Sequence, residues 1–217
     1  MISSSVYKGK AENMYKGLYE IFKHWFHGGQ VWFYSDPHFS DEEMVYLRKN
    51  YIGDEEQVRR INSKIGKCDT IIFLGDIGDT SWIQKIRGYK VLIKGNHDSG
   101  TSNYVRQKCW RPDNPHYDNH LFDEVYDGIL TISDKIILSH EPIHLSEGCM
   151  LNIHGHDHAG WDCQDGLHLN VCAEHINYTP ISLKSIIESG RLGKIESIHR
   201  STIDEATARK KRRSKNI

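Results

Sequence analysis

The sequence predicts an α/β fold built on two β-sheets. In the first half of the chain, short apolar runs alternate with segments of helical periodicity, the pattern of strand–helix–strand units in a parallel sheet. In the second half, short strand-like runs follow one another closely, which indicates a second and partly antiparallel sheet. At 217 residues the chain fits one domain, or one domain with terminal extensions.

Apolar residues near the amino terminus recur at the spacing of one helical face, before Gly28 and Gly29 end the pattern. The residues on this face are Met14, Leu18, Ile21, Phe22 and Trp25. Such a stripe usually packs against a core, so we expect a helix on the domain rather than one that mediates oligomerisation or partner binding. We divide the chain into an N-terminal helical extension (1–29), a main domain (30–200) and a basic C-terminal tail (201–217).

The first sheet takes its strands from the first half of the chain. The apolar runs are Val31 to Tyr34, Ile71 to Leu74 and Val91 to Ile93. Between them, Asp54 to Lys67 places apolar side chains on one face and predicts a crossover helix, and Trp82 to Ile86 predicts a shorter helix. Two consecutive strand–helix–strand units then give a parallel sheet.

The second sheet takes its strands from the later half of the chain. The runs are Glu124 to Tyr126, Ile129 to Ile132, Ile136 to Leu138, Met150 to Ile153 and Leu167 to Val171. Between the two halves, the polar stretch from Ser99 to Leu121 shows no period. Its length and its position predict a loop that contacts substrate.

The composition is that of an ordinary soluble globular protein, with 38% hydrophobic residues, 26% charged residues and a formal net charge of −1. No global charge indicates a nucleic-acid partner. The five cysteines are widely spaced and lack a Cys-x-x-Cys pair, which argues against disulfides or a thiolate zinc site and favours small buried side chains in a reducing cytoplasm. Charged residues interrupt the amino-terminal segment, so we expect no signal peptide, a cytoplasmic location and no membrane partner.

Polar blocks, several of them rich in histidine, follow the apolar runs. The blocks are Asp36-Pro37-His38, Gly75-Asp76, Gly95-Asn96-His97-Asp98, Ser139-His140 and Gly155-His156-Asp157-His158. Because residues just past the carboxyl ends of parallel strands meet in one crevice, we expect these blocks to form a single site. Carboxylate, amide and imidazole groups without a thiolate suit divalent ions of manganese, iron, nickel or zinc. The blocks therefore predict a two-metal hydrolase.

In their order, these blocks resemble the motifs of the calcineurin-like metallophosphoesterase family. The resemblance extends over roughly Val31 to Leu183, and the segments Leu169-Asn170-Val171 and Tyr178 to Leu183 look like those of small bacterial and phage members. It implies a two-sheet αββα sandwich with mixed sheets flanked by helices. It also implies a metal-dependent phosphoesterase whose nucleophile is a metal-bound hydroxide.

The resemblance further implies a role for each residue of a binuclear metal centre. Asp76 would bridge two divalent ions, which we expect to be Mn²⁺, with Fe, Ni or Zn as alternatives. The remaining ligands would be Asp36, His38 and His158 for the first ion, and Asn96, His140 and His156 for the second. His97 would contact the substrate phosphate and assist the leaving group as an acid, and Asp98 would orient His97.

Other candidate residues stay outside these ligand sets. We interpret the following as ordinary surface or core histidines: His24, His27, His116, His120, His168 and His199. Three positions stay open, namely His154 as a support for a ligand, His144 in the loop after His140, and Asp79 as the partner of a ligand or the cap of the short helix.

The resemblance implies a phosphate-ester substrate. Positions at which this sequence differs from particular subfamilies limit the class of ester further. Protein serine/threonine phosphatases of this family carry an arginine after the carboxylate at the position of Asp79, where this chain has Thr80-Ser81, and they usually lack a counterpart of His158. A phosphodiester or nucleotide-like substrate is therefore favoured. The alternatives are a phosphomonoesterase and a catalytically silent scaffold or binding protein. The basic run Arg209 to Lys215 is either a disordered tail or a nucleic-acid tether.

Overall fold

A computed structural model of the chain describes residues 18–26, 28–98, 121–145, 149–160 and 166–214. The first sheet contains β1 (Val31–Tyr34), β2 (Thr70–Phe73), β3 (Tyr89–Ile93), β4 (Glu124–Tyr126) and β9 (Ile181–Ser182). Its strand order is β4-β3-β2-β1-β9. β1, β2 and β3 pair in parallel, as predicted, and β9 pairs with β1 in the antiparallel direction. The assignment of Glu124–Tyr126 to the second sheet is wrong, because β4 pairs in parallel with β3 at the edge of the first sheet.

The second sheet contains β5 (Leu130–Thr131), β6 (Ile136–Leu138), β7 (Leu151–His154) and β8 (His168–Asn170), in that order. β5 is antiparallel to β6, whereas β6, β7 and β8 are parallel, which confirms a partly antiparallel second sheet. Ser35, just after β1, forms a parallel bridge with Cys172, just after β8. This bridge joins the two sheets at the carboxyl ends of their strands.

Helices flank the sheets. The α-helices are α1 (Met44–Leu47), α2 (Asp54–Lys64), α3 (Leu183–Glu188) and α4 (Ile198–Ser214). The 3₁₀ helices are Glu20–Trp25, Thr80–Lys85, Asn96–Asp98 and Arg191–Lys194. The crossover helix α2 ends at Lys64 rather than at Lys67, because Ile65 adopts an extended backbone (φ −88°, ψ 120°).

The first sheet is covered on both faces. Val31 and Phe33 of β1 pack in one core with residues of the second sheet, whereas Tyr34 packs in another core with Val58 and Ile61 of α2. A parallel sheet that is buried on both faces needs continuous apolar strands, which explains why these runs are easy to identify in the sequence.

The amino-terminal segment packs on the domain, as expected. Leu18, Phe22 and Trp25 are buried in the core between the sheets, but Ile21 is 71% exposed, so its predicted place on the buried face is wrong. The segment forms a 3₁₀ helix, in which side chains three apart share a face, so that Phe22 and Trp25 point inward together. The rest of the predicted helix lies outside the described residues.

The carboxyl-terminal segment differs from one of the two alternatives expected for it. The basic run is helical as far as Ser214 rather than disordered, and α4 crosses the predicted boundary between residues 200 and 201. Within the described ranges, no helix is both long enough and apolar enough to cross a bilayer. The cytoplasmic location stays a prediction.

The cysteines differ in their environment. Cys149 and Cys172 are buried, as expected, but Cys68 is exposed in the turn between α2 and β2, so its interpretation as a buried residue is wrong. Cys109, Cys163 and the predicted substrate-contacting loop, apart from Leu121, lie outside the described residues.

Candidate metal centre

The polar blocks lie on loops that follow β1, β2 and β3 of the first sheet and β6 and β7 of the second. Contacts between their side chains bring the blocks together at the carboxyl ends of the strands. The residues that converge there are Asp36, His38, Asp76, Asn96, His97, Asp98, His140, His156 and His158.

Several of these residues have a left-handed backbone conformation. The φ angles are 54° at Asp36, 46° at His38, 53° at Asp76 and 65° at His156. Such angles are uncommon in residues with a Cβ and cluster at functional sites, where surrounding contacts hold them in place. They turn the chain sharply after each strand.

Two glycines allow the loops to approach one another. A Cβ on Gly155 would lie 2.0 Å from Ser35 Oγ and 2.2 Å from Asp36 Oδ2. A Cβ on Gly95 would lie 2.2 Å from Asp76 Oδ1. These separations are far inside van der Waals contact, so a larger residue at either position would displace a carboxylate of the site.

The first group of candidate ligands contains Asp36, His38 and His158, whose ligand atoms lie within 4.8 Å of one another. Asp36 Oδ1 is 3.9 Å from His38 Nε2 and 3.5 Å from His158 Nε2. Among the described residues, Asp36 Oδ1 and His38 Nε2 are buried without a hydrogen-bond partner. Two unpaired buried atoms this close together are costly, and a bound cation would satisfy both of them.

Further contacts hold the other atoms of this group. Asp36 Oδ2 accepts hydrogen bonds from the amide of His156 (2.9 Å) and from the thiol of Cys172 (3.3 Å). The Nδ1 of His38 lies 3.3 Å from a carboxylate oxygen of Asp41. A carboxylate at this place keeps a proton on Nδ1 and leaves the lone pair of Nε2 available to a metal.

The second group contains Asp76, His140 and His156. His140 Nε2 lies 3.3 Å from Asp76 Oδ2, 3.2 Å from His156 Nδ1 and 2.9 Å from Asn96 Oδ1. The Nδ1 of His140 donates to the carbonyl of Leu74 (2.6 Å). In the neutral ring Nε2 is then an acceptor that faces other acceptors, an arrangement that a cation resolves.

Asp76 belongs to the second group and also faces the first group. Its Oδ2 is 3.6 Å from His38 Nε2 and 3.3 Å from His140 Nε2. Its Oδ1 accepts a hydrogen bond from the amide of His97 (2.9 Å). One oxygen of a buried carboxylate thus faces a ligand atom from each group.

The pKa values of these groups reflect their contacts. Burial by itself lowers the pKa of His140, but the carboxylates of Asp76 and Asp36 outweigh burial and raise that pKa to about 9. Burial by itself raises the pKa of Asp76, but the hydrogen bond with His140 and its charge hold it below the ordinary value. For His38, burial dominates and lowers the pKa. In the metal-free protein, the His140 ring is therefore positively charged at neutral pH, and a metal ion would have to displace the proton on its Nε2.

The loop after β3 carries His97 and Asp98. The side chain of His97 is 66% exposed, and its Nε2 lies 4.0 Å from Asp76 Oδ2, at the open side of the site. The buried carboxylate of Asp98 accepts hydrogen bonds from the amides of Asp76, Ile77 and Gly95. These bonds tie the loop after β3 to the loop after β2. The orientation of His97 by Asp98 stays a prediction.

The three positions left open by the sequence have defined surroundings. Asp79 caps the 3₁₀ helix Thr80–Lys85, because its Oδ1 accepts a hydrogen bond from the amide of Ser81 (2.9 Å). His154 is fully buried at the end of β7, with Nδ1 2.8 Å from the carbonyl of the next residue. His144 is exposed in the loop after β6.

Histidines assigned to ordinary positions have structural partners where they are described. His24 contacts the buried carboxylate of Glu124, and His168 is buried with Nε2 2.9 Å from the carbonyl of Ile143. The positions outside the described side chains are His27, His116, His120 and His199.

Sequence reasoning missed two residues beside the site. Glu174 Oε1 lies 2.5 Å from His158 Nδ1, and Arg48 donates a 2.7 Å hydrogen bond to the carbonyl oxygen of Asp36. Glu174 follows β8 at the same end of the sheet, so the strand-end rule applied to β8 would have found it. Arg48 follows α1, and no sequence pattern marks it.

The chain is similar to proteins from an archaeon and a phage, and no protein-family model matches it. An uncharacterised protein of Methanocaldococcus jannaschii is 25% identical over 190 residues, which cover 76% of this chain and 94% of that protein. The gene 66 protein of Mycobacterium phage L5 is 35% identical over 82 residues, or 31% of this chain. The chain spans 39% of the length of the phage protein.

Two solved structures are also similar. A protein of unknown function from Aquifex aeolicus is 26% identical with a TM-score of 0.55, over 73% of this chain and 98% of that one. The nuclease MPE of Pseudomonas putida is 20% identical with a TM-score of 0.39, over 67% of this chain and 66% of that one. The first likeness indicates a shared fold. The chain thus combines two mixed sheets flanked by helices with two Asp/His groups that could hold metal ions.

Proposed function

We propose that the chain is a metal-dependent phosphoesterase with a two-metal centre. The observation that carries the proposal is the position of Asp76 Oδ2, which faces His38 Nε2 at 3.6 Å and His140 Nε2 at 3.3 Å. A buried carboxylate between two sets of ligand atoms fits a pair of ions. The motif order, through its resemblance to calcineurin-like metallophosphoesterases, supports the same function.

In this proposal both sheets supply ligands, and Asp76 is shared. The other ligands are Asp36, His38 and His158 for one ion, and Asn96, His140 and His156 for the other. Oxygen and imidazole donors suit Mn²⁺, with Fe, Ni or Zn as alternatives. When bound, a pair of such ions lowers the pKa of a coordinated water and neutralises negative charge at phosphorus.

His97 is the proposed acid. Its largely exposed ring lies at the open side of the site, with its centroid 5.5 Å from that of His38. An imidazole at this place can donate a proton to the departing alkoxide oxygen of a substrate. The hydrogen bond from the His97 amide to Asp76 Oδ1 holds the loop that carries the ring.

We further propose a phosphodiester or nucleotide-like substrate. Asp79 is followed by Thr80-Ser81 and uses its carboxylate to cap the next helix, whereas protein serine/threonine phosphatases of the resembled family carry an arginine after this position. His158, which these phosphatases usually lack, lies 3.5 Å from Asp36. A phosphomonoesterase and a scaffold without turnover are the alternatives.

Hydrolysis by manganese-loaded protein tests the proposal. We expect bis-p-nitrophenyl phosphate to be hydrolysed faster than p-nitrophenyl phosphate, and both activities to disappear after chelation. His97→Ala should keep its bound Mn²⁺ and lose about 10²–10⁴-fold in turnover, the range of general acid catalysis. His144→Ala changes another exposed histidine and is the matched control, which should keep full activity.

Each result separates the alternatives. Preference for the monoester would indicate a phosphomonoesterase. Two bound Mn²⁺ ions without turnover of either ester would favour the scaffold. A wild-type protein that binds no Mn²⁺ would contradict the metal centre itself.

We also propose that α4 tethers nucleic acid. The helix carries an unbroken basic run from Arg209 to Arg213, and the side chains from Ser201 to Ser214 are exposed. Asp204 and Glu205 lie earlier in the helix, so positive charge is concentrated in its last turns. Such a cluster releases counterions from a polyanion, which makes binding depend on salt.

Removal of residues 209–217 tests this tether. We expect weaker binding of DNA oligonucleotides and a shallower slope of log affinity against log salt, with unchanged hydrolysis of bis-p-nitrophenyl phosphate. Removal of residues 215–217 alone is the matched control. Unchanged affinity and slope in the longer truncation would reject the tether.

A further inference from the structure

We propose that a buried ion pair between Arg48 and Glu174 positions two ligands of the candidate metal centre and sets the metal affinity of one of its two sites. Both residues lie outside the sequence blocks that carry the proposed ligands. The inference rests on the proposed function and adds the groups that hold Asp36 and His158 in place.

Glu174 orients the ring of His158. Its Oε1 lies 2.5 Å from His158 Nδ1, while the other ring nitrogen, Nε2, lies 3.5 Å from Asp36 Oδ1. A carboxylate at Nδ1 keeps the proton there, leaves the lone pair of Nε2 for a metal and makes the ring a stronger ligand. The side chain of His158 is 38% exposed, so packing alone leaves it room to rotate.

Arg48 holds Asp36 from the other side. The guanidinium is buried, and its Nη2 donates a 2.7 Å hydrogen bond to the carbonyl oxygen of Asp36. That backbone is left-handed, with φ 54°, a conformation that costs free energy and persists only where contacts stabilise it. Arg48 thus stabilises the turn that directs the Asp36 carboxylate into the site.

The two positioning residues depend on each other. Arg48 Nε lies 3.3 Å from Glu174 Oε2, and their side chains are 2% and 15% exposed. A buried guanidinium beside a cation site opposes metal binding unless a carboxylate neutralises it. Asp36 follows β1 in the first sheet and His158 follows β7 in the second. One ion pair therefore couples a ligand from each sheet.

Calorimetric titration of Glu174→Gln with Mn²⁺ tests this inference. Glutamine keeps an acceptor for His158 Nδ1 but cannot neutralise Arg48. We expect affinity at one site to fall by about 10–100-fold, the range seen when a residue that supports a metal-binding histidine is mutated. The site that contains His140 should keep its affinity, because the carbonyl of Leu74 holds that ring.

A matched control separates a local effect from a general one. Glu56→Gln also breaks pairs between a glutamate and arginines, with Arg59 and Arg60 on the surface of α2, and should change neither site. The unfolding midpoint of each metal-free variant shows that it remains folded. Equal losses at both sites in Glu174→Gln would overturn the inference.

Arg48→Met completes a double-mutant cycle. Once the guanidinium is gone, the loss of the Glu174 charge matters less, so the double variant should lose less affinity than the sum of the two single losses. Additive losses would overturn the inference. If the wild type has two Mn²⁺ sites and Glu174→Gln binds both ions with wild-type affinity, the inference is wrong but the proposed metal centre is not contradicted. If the wild type binds no Mn²⁺, the metal centre itself is contradicted.

Discussion

The carboxylate of Asp98 accepts a 2.8 Å hydrogen bond from the main-chain amide of Asp76, which lies on another loop. The amides of Ile77 and Gly95 donate to the same carboxylate at 3.1 Å and 2.8 Å. Asp98 is 1% exposed, so water has little access to replace it. The left-handed turn at Asp76 therefore depends on Asp98, the residue that directly follows His97 in the sequence.

Asp98→Ala should lower the free energy of unfolding by about 3 kcal/mol or more, because each buried polar group left unpaired costs about 1–3 kcal/mol. Denaturant unfolding of the metal-free protein measures this loss. Asp127→Asn changes an exposed carboxylate that pairs with Lys94, and should cost about 1 kcal/mol or less. A loss in Asp98→Ala as small as in this control would contradict the structural role.

Asp76→Asn should reduce the number of Mn²⁺ ions that remain bound after gel filtration. The amide offers one neutral acceptor oxygen where the carboxylate presents negative charge to both ligand groups. Elemental analysis of the purified protein gives the stoichiometry, with Asp127→Asn again as the control. Wild-type stoichiometry and affinity in Asp76→Asn would rule out a shared ligand at this position.

Mn²⁺ affinity should increase as the pH rises from 6.5 to 9. The carboxylates around His140 raise its pKa to about 9, and a metal needs the neutral ring. The rise should approach about tenfold per pH unit for each proton released. Titration in buffers of different ionisation enthalpy counts that proton, and a flat affinity across this range would contradict its release.

The same ionisation affects the metal-free fold in the opposite direction. The folded pKa of His140, about 9, lies above its unfolded value of about 6.5. Its stabilising contribution is therefore complete below about pH 6.5 and disappears as the pH rises through about 9. Thermal unfolding of metal-free protein across this interval measures the decline.

Gly155→Ala should disturb the first ligand group. The new Cβ would lie 2.0 Å from Ser35 Oγ and 2.2 Å from Asp36 Oδ2, so one of the two loops must shift. Overpacking of this kind costs about 1–3 kcal/mol and should also weaken Mn²⁺ binding. Gly193→Ala, where a Cβ meets nothing within 4 Å, is the control. Equal stability and metal affinity in the two variants would contradict the close approach.

Trp25→Ala tests whether the amino-terminal segment belongs to the domain core. Trp25 is fully buried, so its truncation should cost about 3–5 kcal/mol in a single unfolding transition. Ile21→Ala, four residues earlier at a 71% exposed position, should change stability by about 0.5 kcal/mol or less. If the amino-terminal segment unfolded in a separate transition before the rest of the domain, a shared core would be contradicted.

Prediction from sequence succeeded where a single local signal was sufficient. β1 and β6 have the predicted bounds because each is a short apolar run that ends at a polar residue. β4 also has the predicted bounds, but it lies in the first sheet rather than the second. Prediction failed where the burial of a residue does not follow from its polarity. His154 belongs to β7 although it is polar, and Ile21 is exposed although it is apolar.

The sequence by itself determined how strands and polar blocks follow one another along the chain, and thereby which residues meet at the carboxyl ends of the strands. This works because parallel strands bring their ends to one edge whatever the length of the connections. Only the tertiary structure decided which groups hold these residues. Arg48 contacts Asp36, Glu174 contacts His158, and Asp98 contacts the backbone of Asp76. Such contacts join separate loops whose approach depends on the packing of two sheets, which no local pattern encodes.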